Sequence, residues 1–329
     1  MRIAFHSFQM GQRGTEICLH KYAKYNRELL GNESVIISSI AHPTHCLDRF
    51  KDFDVILYPE YWIDDNQNDA MRKKLELICD RNKIDVFYAI KSGDNDGMMP
   101  TNVKTATHCV FRMHQPHGTV YAGVCKYMSD KFGGVHPYVH HILEKDAPDV
   151  YDGFREELGI PNDALVLGRH GGFETFNLDF TYGSISRALE SRKDLWFVFL
   201  NTHQFIQHER VIYLPWTMDE VYKSKFVNTC DAMIHGRWDG EVFSLSLAEF
   251  SFRNKPVITW SPDEVPWHYD TGHLYILKEK AIYYRDENEL YTILTNLDRN
   301  KLQDYRWDEY CYEYGKERVM NEFNEVFLK

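Results

Sequence analysis

The sequence predicts an α/β fold made of two doubly wound, Rossmann-like domains in succession. Short apolar runs alternate with amphipathic stretches along the whole chain. The alternation pauses at a polar stretch, Glu144-Lys145-Asp146-Ala147-Pro148-Asp149, and then restarts. A length of 329 residues is roughly twice that of a common single domain. Strands that alternate with helices bury their apolar faces as a mainly parallel sheet covered on both sides.

The first run, residues 3–8, is apolar and strand-sized; it reads as a strand and not as a signal peptide, which needs a longer apolar stretch. A helix over 15–30 follows, with apolar residues that keep the 3.6-residue period only loosely. Strands are then expected at 34–40, 54–58, 85–90, 107–113 and 138–143, with a helix over 68–81. After the polar stretch, strands are expected at 164–169, 196–201, 211–214, 232–235 and 256–260. Helices are expected at 181–192, 219–229, 242–253 and 287–297, and residues 301–327 read as one or two helices. The expected domains are 1–148 and 149–300, with 301–329 packing back toward the first. Two such domains would face each other across a cleft at their strand C-terminal edges, where ligands of open α/β sheets bind.

Composition narrows the function. The formal net charge of −11 argues against nucleic-acid binding, which needs a basic field, and against a basic membrane-surface patch. No apolar run approaches the ~20 residues of a membrane span, so no stable membrane insertion is expected. Seven widely spaced cysteines without a CxxC pair read as reduced thiols in a cytoplasmic compartment. His136, His140 and His141 are close, but no HExxH or comparable ligand set occurs, and no metal or other cofactor is expected. Asp94-Asn95-Asp96 has a metal-binding spacing, yet Gly97 follows and a solvated turn is the plainer reading. The GxGxxG, GxSxG and P-loop patterns are absent.

The chemistry-bearing segment is Gly236-Arg237-Trp238-Asp239-Gly240-Glu241-Val242-Phe243-Ser244-Leu245-Ser246-Leu247-Ala248-Glu249, followed by Lys255-Pro256-Val257-Ile258-Thr259. Glu241 and Glu249 stand eight positions apart, a little over two turns if both lie on one helix. Taken alone, an amphipathic helix with two solvated glutamates explains the spacing as well. The second segment, Leu167-Gly168-Arg169-His170-Gly171-Gly172, ends a strand in an Arg whose fork of donors suits phosphate oxygens. The third, Phe8-Gln9-Met10-Gly11-Gln12-Arg13-Gly14-Thr15, is a glycine loop between strand and helix. The fourth, Arg112-Met113-His114-Gln115-Pro116-His117, follows a strand and aims His114 at a strand end, with His117 as the alternative. Finally, Tyr213-Leu214-Pro215-Trp216-Thr217-Met218-Asp219-Glu220 reads as a helix start capped by Thr217, with Glu220 three residues on.

Taken together, these segments resemble the retaining glycosyltransferases of family 4, whose fold is GT-B, and within them the kind that large algal viruses encode. The likeness rests on Arg169, the Glu241/Glu249 pair and Pro256-Val257-Ile258. It implies transfer of a hexose from a nucleotide-diphosphate sugar, with GDP-mannose as the donor guess, to a glycan or glycoprotein acceptor in the cytoplasm (the host's, if viral). Glu249 would hold the ribose hydroxyls, and Glu241 would lie beside the transferred sugar with His114. The amides of Val242, Phe243, Ser244 and Leu245, with Arg169, Gly11, Arg13 and Gly14, would meet the diphosphate, and Leu214 and Pro215 the base. Two departures stand out: Val242 and Ser244 replace family glycines, and Glu174 replaces a family lysine, leaving Arg237, Lys255 or Arg13 as substitute cations. A nucleotide-sugar epimerase of the same fold and a non-catalytic nucleotide-sugar-binding protein are the alternatives, and a homodimer is compatible with either.

Overall fold

The computed structural model describes residues 1–60, 68–145, 149, 154–310 and 313–329. The predicted linker and Cys311 fall wholly or partly outside them. The chain divides into two compact units, Met1–Ile142 with Glu313–Lys329, and Leu143–Tyr312.

In the first unit β1 (Arg2–His6), α1 (Gly14–Glu28), β2 (Glu33–Ser39), β3 (Asp54–Tyr58), α2 (Asp69–Asn82), β4 (Val86–Lys91), β5 (Lys104–Cys109), β6 (Val120–Gly123) and α3 (Lys126–Lys131) follow in order. All strands are parallel, in the order β3-β2-β1-β4-β5-β6. Ile3-Ala4-Phe5 and Val35-Ile36-Ile37 are buried without interruption. Continuous apolar runs of this kind mark strands covered on both faces.

The predicted strand at 138–143 is not one. β6 takes the edge beside β5 instead, and residue 138 touches it only through a single bridge to Gly123. The edge needs only four residues, and the extended stretch after Tyr138 turns inward, where His140 and His141 are buried.

The second unit runs α4 (Phe154–Glu157), β7 (Leu165–His170), α5 (Phe180–Ser191), β8 (Leu195–Leu200), β9 (Val211–Leu214), α6 (Glu220–Thr229), β10 (Ala232–His235), α7 (Leu245–Ser251), β11 (Val257–Trp260), α8 (Gly272–Leu277), β12 (Ala281–Tyr284), α9 (Glu287–Asn296) and α10 (Arg299–Gln303). Its parallel order, β12-β11-β10-β7-β8-β9, repeats that of the first sheet. Leu165, Leu167, Phe197, Phe199, Ile234 and Ile258 form the sheet's share of the core against Ile185, Leu189 and Leu290. Each such side chain contributes about 1.5–3 kcal/mol by leaving water. Gly168 is required within β7: a Cβ there would lie 2.2 Å from Cys230 Sγ and 3.2 Å from Phe250.

The last helix, α11 (Lys316–Phe323), belongs to the first unit. Its Phe323 ring packs on Phe5, Tyr22 and Tyr88 at centroid distances of 6.1, 5.4 and 5.2 Å.

Candidate active site

In a sheet of this order the connections leaving the two central strands diverge, and the crevice at their C-terminal ends receives ligands. In the second unit those strands are β7 and β10, and the loops that follow them are tied together. The amides of Asn177 and Leu178 donate to Gly236 O at 3.0 and 3.1 Å, and the Trp238 amide donates to Asn177 Oδ1 at 2.9 Å.

Arg169, at the end of β7, is 3% exposed. Its Nη1 donates to Asn201 O and Thr202 Oγ1, and its Nη2 to Gly172 O and Thr175 Oγ1. The guanidinium therefore spans the loops after β7 and β8. Burial pulls its pKa down to about 10, against the Glu241 carboxylate, which raises it. Glu174, at the family lysine position, is exposed.

Glu241 does not lie on a helix. The predicted helix at 242–253 begins only at Leu245, so the two-turn argument for Glu241 and Glu249 fails. Tertiary pairing explains the late start: Gly240 takes a φ of +64°, the Glu241 amide donates to Asp270 O at 2.9 Å, and the His273 amide donates to Glu241 O at 3.0 Å. Ser244, the residue before α7, sits at φ +63°, a left-handed conformation that favours glycine. That is the physical meaning of one of the departures from the family pattern.

The two carboxylates are gripped differently. Glu241 Oε2 meets Arg237 Nη1 at 2.9 Å, and Oε1 lies 3.8 Å from His235 Nε2. Burial works to raise the Glu241 pKa, but the surroundings of the carboxylate, Arg237 among them, bring it down to about 2. Glu249, on α7, meets Lys223 Nζ of α6 at 3.1 Å, and Lys223 also pairs with Glu220 at 2.8 Å. His170 Nε2 lies 3.0 Å from Glu249 Oε2, close enough for an ion pair but not aligned as a directed hydrogen bond. Burial would raise Glu249 too; Lys223 first, then His170, hold it well below the usual carboxylate range. Both glutamates are thus ionised acceptors at neutral pH.

Behind Glu241 runs a buried polar chain. His235 Nδ1 lies 2.8 Å from Thr259 Oγ1, Thr259 Oγ1 lies 3.2 Å from His273 Nε2, and His273 Nδ1 lies 3.3 Å from Glu241 O. Lys255 stands at the other end of the sheet, where burial lowers its pKa against the opposing pull of Asp231, so it is no cation for this site. At the β9–α6 turn, Leu214 O accepts from the Asn201 amide at 3.0 Å and Pro215 is exposed. The cap here is Asp219, not Thr217: the helix starts one residue later than predicted, and Asp219 Oδ1 takes the amides of Val221 and Tyr222.

In the first unit, Gly11 and Arg13 lie in the loop after β1 and Gly14 opens α1, at that sheet's own divergence point, with Arg13 and Gly14 exposed and Gly11 buried. Glu16 carries that loop, accepting from Thr15 Oγ1 at 2.9 Å and Ser7 Oγ at 3.4 Å. His114 is exposed beyond β5, with Nε2 3.9 Å from Asp94. Asp96 pairs with Lys91 at 2.5 Å, and Asp94 faces Arg112 at 3.3 Å, so the Asp-Asn-Asp turn is internally satisfied. Among the described residues no cluster of three His, Cys, Asp or Glu could hold a metal ion. No described helix is long and apolar enough to cross a membrane.

The structure gathers Arg169, Leu214, Glu241, Val242, Phe243, Ser244, Leu245 and Glu249 in the second unit and leaves Gly11, Arg13, Gly14 and His114 in the first. Sequence reasoning missed His170, Lys223, His235 and His273. A signal existed for two: His235 ends a predicted strand and His170 directly follows one, the positions that face a ligand crevice. Lys223 offered none, since its partner lies 26 residues away.

No family model matches the chain, and no curated protein matches it in sequence. Solved structures do match in fold. HepE of Anabaena in complex with UDP-glucose aligns with a TM-score of 0.75 at 12% identity, covering 99% of this chain and 98% of that one. WaaG, a glycosyltransferase involved in lipopolysaccharide biosynthesis, aligns at 0.72 and 10%, covering 98% and 99%. A putative UDP-N-acetylglucosamine 2-epimerase from Listeria monocytogenes aligns at 0.64 and 11%, covering 99% and 96%. The fold is therefore GT-B, two parallel α/β units of the kind glycosyltransferases use.

Proposed function

We propose that the protein is a glycosyltransferase that moves a hexose from a nucleotide-diphosphate sugar to a glycan or glycoprotein acceptor, with retention at the anomeric carbon. The observation that carries the reading is the pair of ionised carboxylates at the divergence of β7 and β10, Glu241 held by Arg237 and Glu249 by Lys223 and His170. Ionised carboxylates accept hydrogen bonds from hydroxyls, the groups that ribose and hexose offer in pairs. On this reading Glu249 takes the ribose hydroxyls and Glu241 the transferred sugar. The diphosphate lies against the 242–245 backbone, where the first-turn amides of a helix lack intrahelical partners.

In the reaction the acceptor oxygen forms a bond to the anomeric carbon as the bond from that carbon to the phosphate oxygen breaks. The leaving phosphate oxygen takes the acceptor's proton. Donors facing that oxygen stabilise the charge it gains, and removing one such donor costs about 3 kcal/mol of barrier. Arg169 ties together the loops after β7 and β8 that border this site. The first unit, with its glycine loop and His114, is assigned to the acceptor. The scheme needs no metal, so transfer should persist in a chelator.

The test is calorimetry with GDP-mannose, UDP-glucose and other nucleotide-sugars on the wild type and on Glu249→Ala. Binding lost in the variant supports the reading; a wild type that binds none of them ends it. Family likeness makes GDP-mannose the first donor to try, and the HepE complex makes UDP-glucose the second. The Listeria neighbour favours one further reading, epimerisation, which product analysis of donor incubated without acceptor would reveal.

A further inference from the structure

The buried chain behind Glu241 determines where its protons sit. His273 Nδ1 faces Glu241 O, a carbonyl that only accepts, so Nδ1 carries the hydrogen and donates. His273 is fully buried, and burial lowers its pKa to about 3, so it is neutral and its Nε2 holds a lone pair. Tyr269 spends its own hydrogen on Trp260 O at 2.6 Å. The hydroxyl of Thr259 must therefore donate to His273 Nε2, leaving its oxygen to accept from His235 Nδ1. Burial likewise lowers the His235 pKa, with Glu241 opposing. A neutral His235 that donates from Nδ1 presents a lone pair at Nε2.

That lone pair is 3.8 Å from Glu241 Oε1, on a residue 4% exposed, and has no hydrogen-bond partner. Two acceptors thus stand side by side with no hydrogen between them. A buried acceptor of this kind is unfavourable until a donor arrives. A cation is not what the pair lacks, because Arg237 already balances Glu241 at 2.9 Å. What completes it is two neutral O–H donors, each about 2.8 Å from its acceptor. Adjacent hydroxyls on a pyranose ring supply that pattern.

We infer that His235 is a sugar-recognition residue, its Nε2 accepting one hydroxyl of the transferred hexose while Glu241 accepts the neighbouring one. The inference rests on the nucleotide-sugar reading above and adds a residue that discriminates the sugar from the nucleotide that carries it. Thr259 and His273 are positioning residues, which act by holding the His235 tautomer.

Two measurements test it on the full chain. Nitrogen-15 NMR of the imidazoles should find His235 protonated at Nδ1 alone, shifting toward Nε2 in Thr259→Val; a proton on Nε2 in the wild type would overturn the inference. Calorimetry should then compare GDP-mannose and UDP-glucose with GDP and UDP. His235→Asn keeps a donor near the Nδ1 position and deletes Nε2. It should weaken the nucleotide-sugar about tenfold and the bare nucleotide less than about twofold. His235→Gln, which returns a polar atom near Nε2, should recover part of the loss. If the wild type binds nucleotide-sugars but His235→Asn weakens both ligand types alike, or neither, this inference fails and the proposed function survives. If the wild type binds no nucleotide-sugar, both fail.

Discussion

Lys223→Met should destabilise the second unit by about 2–3 kcal/mol at neutral pH. Lys223 Nζ stands 3.1 Å from Glu249 and 2.8 Å from Glu220, on a side chain 16% exposed. At that separation and an effective dielectric near 20, one ion pair has a gross attraction of about 5 kcal/mol. Removing one partner of a buried pair typically costs about 3–5 kcal/mol, because the other charge stays behind without it. Water reaches the edge of this pair and screens it, which sets the lower figure.

Urea unfolding followed by tryptophan fluorescence reads the right unit, since every tryptophan but Trp62 lies between residues 143 and 312. Glu249→Gln and the double variant complete a cycle, with an expected coupling of about 2 kcal/mol. Because the Glu249 carboxyl is held below its usual range, its contribution is fully present above about 4.5 and is lost only as pH falls through the depressed value. The coupling should therefore be flat between about pH 8 and 6. Additive single variants, or a Lys223→Met midpoint equal to wild type, would refute the claim that this cation holds Glu249 in place.

Gly240→Ala should cost about 2 kcal/mol and abolish nucleotide-sugar binding, because the new Cβ would sit 2.2 Å from Asp270 O and part the contact that anchors Glu241; unfolding and calorimetry together check it. Ser244→Gly should leave the protein as stable or about 1 kcal/mol more so, by relieving the φ of +63°, and a clear loss in thermal unfolding would mean the serine hydroxyl matters more than the backbone. Arg169→Lys keeps the charge but cannot span the loops after β7 and β8, so faster limited proteolysis at 171–175 is expected; an unchanged cleavage rate would show the fork to be dispensable. Acid should unfold the chain early. Buried His6, His108 and His273 have pKa values lowered to about 3, 4 and 3, so below about 6.5 the unfolded chain binds more protons, and stability falls by about 1.4 kcal/mol per pH unit for each. A midpoint that stays constant from pH 7 to 5 would contradict this.

The architecture was legible in the order of residues alone. Continuous apolar runs such as Val35-Ile36-Ile37 and the alternation of strand and helix periods belong to neighbours in the chain, so they are readable without the fold; predicted and observed spans coincide at Asp54–Tyr58, Val211–Leu214 and Ala232–His235. That order also marked Glu241 and Glu249, whose spacing and following Pro-Val-Ile strand are local. Which charges meet was fixed only by the folded arrangement. The four-residue edge strand β6 and the short β12 were invisible because they are strands chiefly by virtue of a neighbour to pair with. The late start of α7 came from Asp270 and His273 capturing Glu241's backbone, and the side chains that meet the two glutamates came from α6, from the end of β7 and from the turn after β10. The proton order along His235, Thr259 and His273 likewise depends on three residues drawn together from separate segments. Side-chain chemistry is written residue by residue, but hydrogen bonds and ion pairs act over a few ångströms, and folding alone decides which residues come that close.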